Sequence, residues 1–224
     1  VACTGYALLC FLGAGYDHRT PNRYRKVVAS GLDWLVHRQG DDGVWGDRNY
    51  AHAIATMAMV EAYAMTNDPK IRKPSQAAVD VLLDRQIRDE ANGGSYGLGW
   101  DYVTSATRND SSVTGWCVMA LKSAAAGGLD IGQGMTGAKA WMEGAWKATN
   151  DNWASLDPYN GISDFPYTWN QKSGEIHHTW NSPKLTRGGD RDCAPIGVLC
   201  GAFLGYEPGN VMMETLLNHV VKHM

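Results

Sequence analysis

The chain has 224 residues, with 20 Lys and Arg against 23 Asp and Glu, a formal charge of −3. This near-balance gives no electrostatic reason to expect nucleic acid or an anionic membrane as partner, and 44% hydrophobic with 19% charged residues is the make-up of a folded chain. A fold of this size buries roughly 70–75% of its unfolded surface and needs no disulfide or metal to hold its core, while its longest apolar runs, around Ala7–Gly15 and Ala53–Val60, fall short of the about 20 residues that cross a bilayer.

Read in chain order, the sequence predicts helices of two kinds. Ala2–Gly13, Ala51–Met65, Val113–Ala126 and Ala194–Leu204 are rich in Ala and Gly and apolar nearly all round. Such helices belong inside, flanked by neighbours on both sides. Each is followed by an amphipathic segment. Val28, Leu32, Leu35 and Val36 make one stripe, with Arg25, Lys26, Asp33 and His37 off it; Met213, Leu216, Leu217, Val220 and Met224 make another. Thr20-Pro21 reads as a cap before a helical proline, and Asp68-Pro69 as the same or as a turn before Pro74. Gly127-Gly128 reads as a helix stop. No strand-like alternation lasts more than a few residues. Four inner–outer pairs, with an irregular insertion at 149–191, account for the chain as one domain over 1–224.

Internal repeats support this reading. Leu32-Asp33-Trp34-Leu35-Val36-His37-Arg38-Gln39 aligns with Val79-Asp80-Val81-Leu82-Leu83-Asp84-Arg85-Gln86, and each segment runs into a glycine turn with an aromatic, Gly43-Val44-Trp45-Gly46 and Gly94-Ser95-Tyr96-Gly97. The ends of the chain also match at one constant offset, Cys3…Leu9-Cys10…Gly15-Tyr16 over Cys193…Leu199-Cys200…Gly205-Tyr206. An inner row of apolar helices wrapped by amphipathic ones is an all-α fold, an α/α toroid or an open section of one.

The segment Gly31 to Trp45, with its aliphatic run, Gln39, Gly43 and Trp45, resembles the QW-type repeat of the squalene/hopene cyclase and protein prenyltransferase superfamily. The next repeat resembles it with Gln86, Gly94 and Tyr96, Tyr replacing Trp. In the third, Trp141-Met142 fits the aliphatic run, no Gln follows, and Gly161 leads to Phe165, Tyr167 and Trp169. The resemblance implies the same toroid. A chain with four pairs is then either a small ring or a piece of a longer protein. The motif reads as a staple, in which a Gln amide satisfies orphan groups at a helix end while the Trp ring covers it.

Cyclases of this superfamily protonate substrate through an acidic DxDD motif. The nearest segment here, Asn109-Asp110-Ser111-Ser112, has one carboxylate, and helix capping by Asp110 competes with an acid role. Protein prenyltransferases hold zinc through Asp-x-Cys and a distant His. Asp192, Cys193 and one of His177 and His178 are the corresponding candidates, although the spacing and order depart from the family; no cofactor is otherwise expected. Ligands of such folds sit where inner helices begin. Tyr50, His52, Trp100, Asp110, Tyr167, Trp169 and Arg187 therefore stand as candidates for a cavity suited to an apolar ligand, a carbohydrate polymer or a peptide.

The leading expectation is a repeat domain binding a small molecule, a polymer or a protein partner in its central cavity. An isoprenoid cyclase or prenyltransferase-like enzyme is the alternative, and a polysaccharide lyase-like toroid a second, resting on fold analogy and the 9 Trp and 10 Tyr. The five cysteines, Cys3, Cys10, Cys117, Cys193 and Cys200, lie in apolar surroundings without a CxxC pair, so reduced, buried thiols are expected. The chain opens at Val1 without a charged region and cleavage site, so no signal peptide is expected.

Overall fold

The computed structural model of the chain describes residues 1–88, 98–104, 107–153, 165–177 and 193–223, which are mostly helical with one small sheet. The Ala- and Gly-rich segments form α1 (Ala2–Gly13), α3 (Asn49–Thr66), α5 (Ser111–Ala126) and α7 (Ala194–Leu204). The amphipathic ones form α2 (Arg25–Arg38), α4 (Pro69–Asp84), α6 (Gly134–Trp153) and α8 (Val211–His223). The first group stacks side by side in chain order, α1 on α3, α3 on α5, α5 on α7, and each of the second lies against the helix it follows. In addition α4 reaches α5 and α6 reaches α7, so these two outer helices bridge successive inner ones.

Small side chains bring the inner helices together. A methyl group added at Gly5 of α1 would lie 2.9 Å from Ile54 Cγ2 of α3, and one at Gly115 of α5 would lie 3.2 Å from Ile196 Cγ2 of α7. The same joint, an isoleucine seated on a bare helix backbone, thus recurs at two steps of the row. Ile54 is fully buried there, a gain of about 1.5–3 kcal/mol for such a side chain. The two middle helices are buried most completely: Ala53, Ala55, Ala58, Met59, Val60 and Ala62 on α3 and Val113, Cys117, Val118, Ala120, Leu121 and Ala124 on α5 are out of solvent. On α2, Val28, Leu32 and Leu35 are buried while Arg25, Lys26, Asp33 and His37 are exposed.

Several helix boundaries follow the expected signals. Asp68 caps α4, accepting from Lys70 N at 3.0 Å with Pro69 in the first turn, and the helix continues through Pro74. Helix α5 stops at Gly127, and Gly128 has φ +74°. Thr20-Pro21 instead belongs to a turn organised by Asp17, which accepts from the Arg19 and Thr20 amides; α2 starts later, at Arg25.

Other expectations need correction. The region 149–191 is not wholly irregular: α6 runs on to Trp153, and two short strands follow. Strands β1 (Arg108–Asp110), β2 (Thr168–Asn170) and β3 (Ile176–His177) form an antiparallel sheet in the order β1-β2-β3, with Asp110 opposite Thr168. On α8 the buried stripe is Met212 and Leu216, with Leu217 half exposed; Met224 lies outside the described residues. Cys117, Cys193 and Cys200 are buried, but Cys3 and Cys10 are exposed, and none of the five is joined in a disulfide. Among the described residues no helix is long and apolar enough to cross a membrane.

Candidate functional site

Two staples fix the turns that lead into the inner helices. Gln39 Nε2 donates to the carbonyls of Gly43 (2.9 Å) and Pro74 (3.0 Å), while Trp45 Nε1 donates to Leu35 O at 2.9 Å near the end of α2. Gly43 has φ +83°, and a side chain there would meet the Ala77 carbonyl at 2.6 Å, so glycine is required twice over. In the next repeat Gln86 Nε2 donates to Leu98 O (2.6 Å) and Gly134 O (3.0 Å), and Trp100 Nε1 donates to Leu82 O at 2.7 Å. In both repeats the indole reaches the carbonyl four residues before the glutamine, and the amide ties its own turn to the following outer helix. Trp100, not Tyr96, therefore occupies the place of Trp45. Gly94 and Tyr96 lie outside the described residues.

The stapled segment 98–110 is bolted to the start of α5. Thr114 Oγ1 accepts from Trp100 N (2.9 Å) and donates to Trp100 O (3.2 Å), and Asp110 N donates to Trp100 O (2.7 Å). Arg108 donates to both carboxylate oxygens of Asp101, through Nε (2.8 Å) and Nη2, and the Asp101 backbone carbonyl accepts from Asn49 Nδ2 at 2.8 Å. The first residues of α3 and α5 are thus locked to one another.

Between them runs a continuous line of aromatic side chains. Tyr6 on α1 packs edge-on against Trp116 on α5, with ring centroids 5.3 Å apart. Trp116 Nε1 donates to Tyr50 Oη on α3 at 3.3 Å. Tyr50 stacks on Tyr102 at 5.9 Å with an interplanar angle of 13°, and the Tyr102 and Tyr167 hydroxyls share a 2.8 Å hydrogen bond. Tyr50, Tyr102 and Trp116 are half-buried and Tyr6 is 40% exposed. Burial raises the Tyr6 hydroxyl above its ordinary pKa, with the nearby Tyr50 hydroxyl adding to it. Further along the same helices Met57, Glu61, Met119 and Ser123 are also half-buried, and Ser123 Oγ donates to Glu61 across the α3–α5 joint. This is a half-open apolar face with hydroxyl tips and one carboxylate.

Asp110 stands at the head of that face. As the cap of α5 its Oδ1 accepts from Val113 N (3.0 Å) and Ser112 Oγ (2.6 Å). Its Oδ2 is buried and has no hydrogen-bond partner among the described residues. Burial outweighs the capping bonds and the Arg108 charge, so the carboxyl is raised above its usual range. Tyr167 is raised strongly, first by burial, then by its bond to Tyr102 and by Asp110. Asp110 Oδ2 is therefore the polar atom left for a ligand group that approaches the head of this face.

Of the residues singled out from sequence, the structure brings Tyr50, Asp110 and Tyr167 together. It places His52 elsewhere: fully buried, its Nε2 donates to Ala78 O of α4 at 3.0 Å, and its ring lies 5.3 Å from Trp45. Desolvation lowers its pKa to about 4. Trp100 is consumed by the staple, and Trp169 lays its ring over Gly144 on α6. Arg187 lies outside the described residues. The face also includes Tyr6, Tyr102 and Trp116. Tyr6 and Trp116 carry a signal in the sequence, since each is an aromatic directly after a glycine in a small-residue helix.

Cys193 caps α7 and is 3% exposed; Asp192, His178 and the side chain of His177 lie outside the described residues. Among the described residues no group of three His, Cys, Asp or Glu is placed to hold a metal; of the candidate zinc set, only Cys193 has a described side chain. A surface groove of about 460 Å3 lined by Met135, Thr136, Lys139, Ala140, Glu143 and Leu204 shares no residue with the aromatic line. The chain matches no protein-family profile and no curated protein.

Proposed function

We propose that the stack is an open section of an α/α toroid of the squalene cyclase and prenyltransferase type, and that it binds an apolar ligand of isoprenoid character against the inner face of α1, α3 and α5. The observation that carries this reading is the line Tyr6–Trp116–Tyr50–Tyr102–Tyr167. Tyr6 touches Trp116 across the intervening α3, which supports a row that bends toward this side. The exposed parts of the rings offer apolar contact, and the hydroxyls at one end suit a polar head group. Trp116, half-buried and in the middle, is the natural anchor.

Titration of the chain with farnesol, followed by isothermal calorimetry, tests this. Saturable binding is expected, weakened at least tenfold in Trp116→Ala, the factor produced by a loss of about 1.4 kcal/mol. Absence of saturable binding, or equal binding by Trp116→Ala with unchanged circular dichroism, overturns it.

One observation favours a second reading, acid-initiated isoprenoid chemistry: the raised Asp110 carboxyl, whose buried Oδ2 has no hydrogen-bond partner among the described residues, beside this face. In that case Asp110→Asn retains ligand affinity and abolishes conversion of an isoprenoid substrate. Conversion at an undiminished rate by Asp110→Asn removes the acid role.

A further inference from the structure

Apart from Glu61 on α3 and Lys122 on α5, the four inner helices carry no Asp, Glu, Lys or Arg. Lys122 is exposed, whereas Glu61 is half-buried and stands on the binding face itself. Tyr50, Met57 and Glu61 recur at helical spacing along α3, and Trp116, Met119 and Ser123 along α5, all of them half-buried. Tyr50 meets Trp116 near the starts of the two helices and Glu61 meets Ser123 nearer their ends, so α3 and α5 run in the same direction. The face is therefore aromatic toward the helix N-termini, thioether in the middle and acidic toward the C-termini.

That is the unfavourable end for an acid. The C-terminus of a helix carries the negative end of its dipole and its last unpaired carbonyls, so it favours cations over anions. Ser123 lies in the last turn of α5 and Glu61 in the last two turns of α3, and neither helix has a basic residue in its last turn. Glu61 accepts from Ser123 Oγ, a neutral partner. The ion pairs among the described residues join His18 and Arg19 to Asp68 and Arg108 to Asp101, so Lys122, although next to Ser123 in sequence, does not neutralise Glu61. Ion pairing and helix dipoles thus both leave this carboxylate uncompensated, in apolar surroundings, and the negative potential there is complementary to a cation arriving along the face.

We infer that the ligand of this face is a cationic amphiphile, an isoprenoid or alkyl amine whose ammonium group sits at Glu61 and whose tail runs back over Met57 and Met119 to Trp116 and Tyr50. This rests on the proposed binding of an apolar ligand at the same face and adds the charge of its head group. From Ser123 back to Trp116 is about 10 Å along the axis of α5, so a farnesyl tail reaches the rings from Glu61. The ammonium has three hydrogens to donate. Glu61 takes one, and the Ser123 hydroxyl oxygen, whose own hydrogen is already given to Glu61, accepts another. Thioethers and ring faces take the tail. A diphosphate or carboxylate head in that position meets like charge instead.

Isothermal calorimetry of the whole chain with farnesylamine and with farnesol, each below its micellar concentration, tests the inference. The amine is expected to bind more tightly than the alcohol by about tenfold or more, as one charge-assisted pair supplies, and the margin should shrink as salt rises. Glu61→Gln keeps an oxygen for Ser123 to donate to, so circular dichroism and melting should match the parent. It should bind farnesol as the parent does and lose the margin. Ser123→Ala removes the hydroxyl and keeps the charge, so it should retain the margin. Farnesylamine binding no tighter than farnesol, or a margin that survives in Glu61→Gln, overturns the inference and leaves the apolar reading of the face standing. Binding of neither ligand overturns both.

Discussion

Replacing Trp100 with phenylalanine should destabilise the fold more than the same change at Trp45, although the two indoles do the same job. The Leu82 carbonyl that Trp100 serves lies in the last turn of α4, and the Gln86 amide that could satisfy it bonds to Leu83 instead, at 3.4 Å. Removing the indole N–H leaves that buried carbonyl unpaired, at about 1–3 kcal/mol. The smaller ring also vacates a fully buried site, adding about 1–2 kcal/mol. The Leu35 carbonyl served by Trp45 keeps a second donor, Gln39 N at 3.0 Å. Trp45→Phe therefore loses a bond worth about 1 kcal/mol without orphaning its partner. Urea unfolding followed by far-ultraviolet circular dichroism should give a loss of about 2–4 kcal/mol for Trp100→Phe with unchanged m, and a visibly smaller loss for Trp45→Phe. The alignment that puts Tyr96 in this place predicts the loss at Tyr96→Phe instead. A neutral Trp100→Phe, or a larger cost at Tyr96, refutes the assignment of the second staple.

Three further outcomes follow from named contacts. His52 is held neutral, its pKa lowered from 6.5 to about 4, so its contribution is complete above the unfolded value and is lost as pH falls from 6.5 toward 4. The loss is up to about 3 kcal/mol, the slope should vanish in His52→Asn, and an imidazole titrating near 6.5 by NMR contradicts the buried placement. Gly5→Ala pushes a methyl to 3.0 Å from a backbone carbonyl, whereas at Gly115 the nearest atom is a side-chain methyl at 3.2 Å; with a helix-propensity gain of about 1 kcal/mol at each, chemical denaturation should find Gly115→Ala near neutral and Gly5→Ala destabilised by about 1–2 kcal/mol. Asp110→Ala should lose about 1 kcal/mol of capping. Asp110→Asn keeps the cap and carries no charge to bury, so it should match or exceed the parent at neutral pH. Because the folded pKa is raised above 3.8, the parent gains stability as pH falls through that raised value, and the gap should close; a gap that widens in acid contradicts the buried, raised carboxyl.

The helical row was legible from sequence because its cause is compositional. Helices short of charge and rich in Ala and Gly can only be stable between neighbours, and the observed spans of α1, α3, α5 and α7 lie within a few residues of the expected ones. The three strands were not legible: two or three residues carry no periodicity, and β1 pairs with a segment far along the chain. Sequence alignment puts Tyr96 in the place of Trp45 because Gly94-Ser95-Tyr96 repeats Gly43-Val44-Trp45, whereas the contact depends on which aromatic reaches the Leu82 carbonyl, and that is Trp100. Cys3 and Cys10 were expected to be buried because their helix is apolar, but burial depends on what lies against a helix, which composition does not state. Part of the site was readable, since Tyr50, Asp110 and Tyr167 stand where inner helices begin. Its middle was not, because Tyr6 and Trp116 look like core until two helices flanking a third are seen to meet.

The order of the inner helices, with α5 closed on α7 and the outer flank of α1 open, is tested most directly by the rate at which each cysteine is alkylated in dilute native protein, read by peptide mass spectrometry. Cys3 and Cys10 should react at rates close to a free thiol. Cys117 and Cys200, buried in the α5–α7 region with their pKa values raised by desolvation, Cys200 to about 12, should react only as the protein unfolds. Rapid native labelling of Cys117 or Cys200, or protection of Cys3 and Cys10, would contradict it.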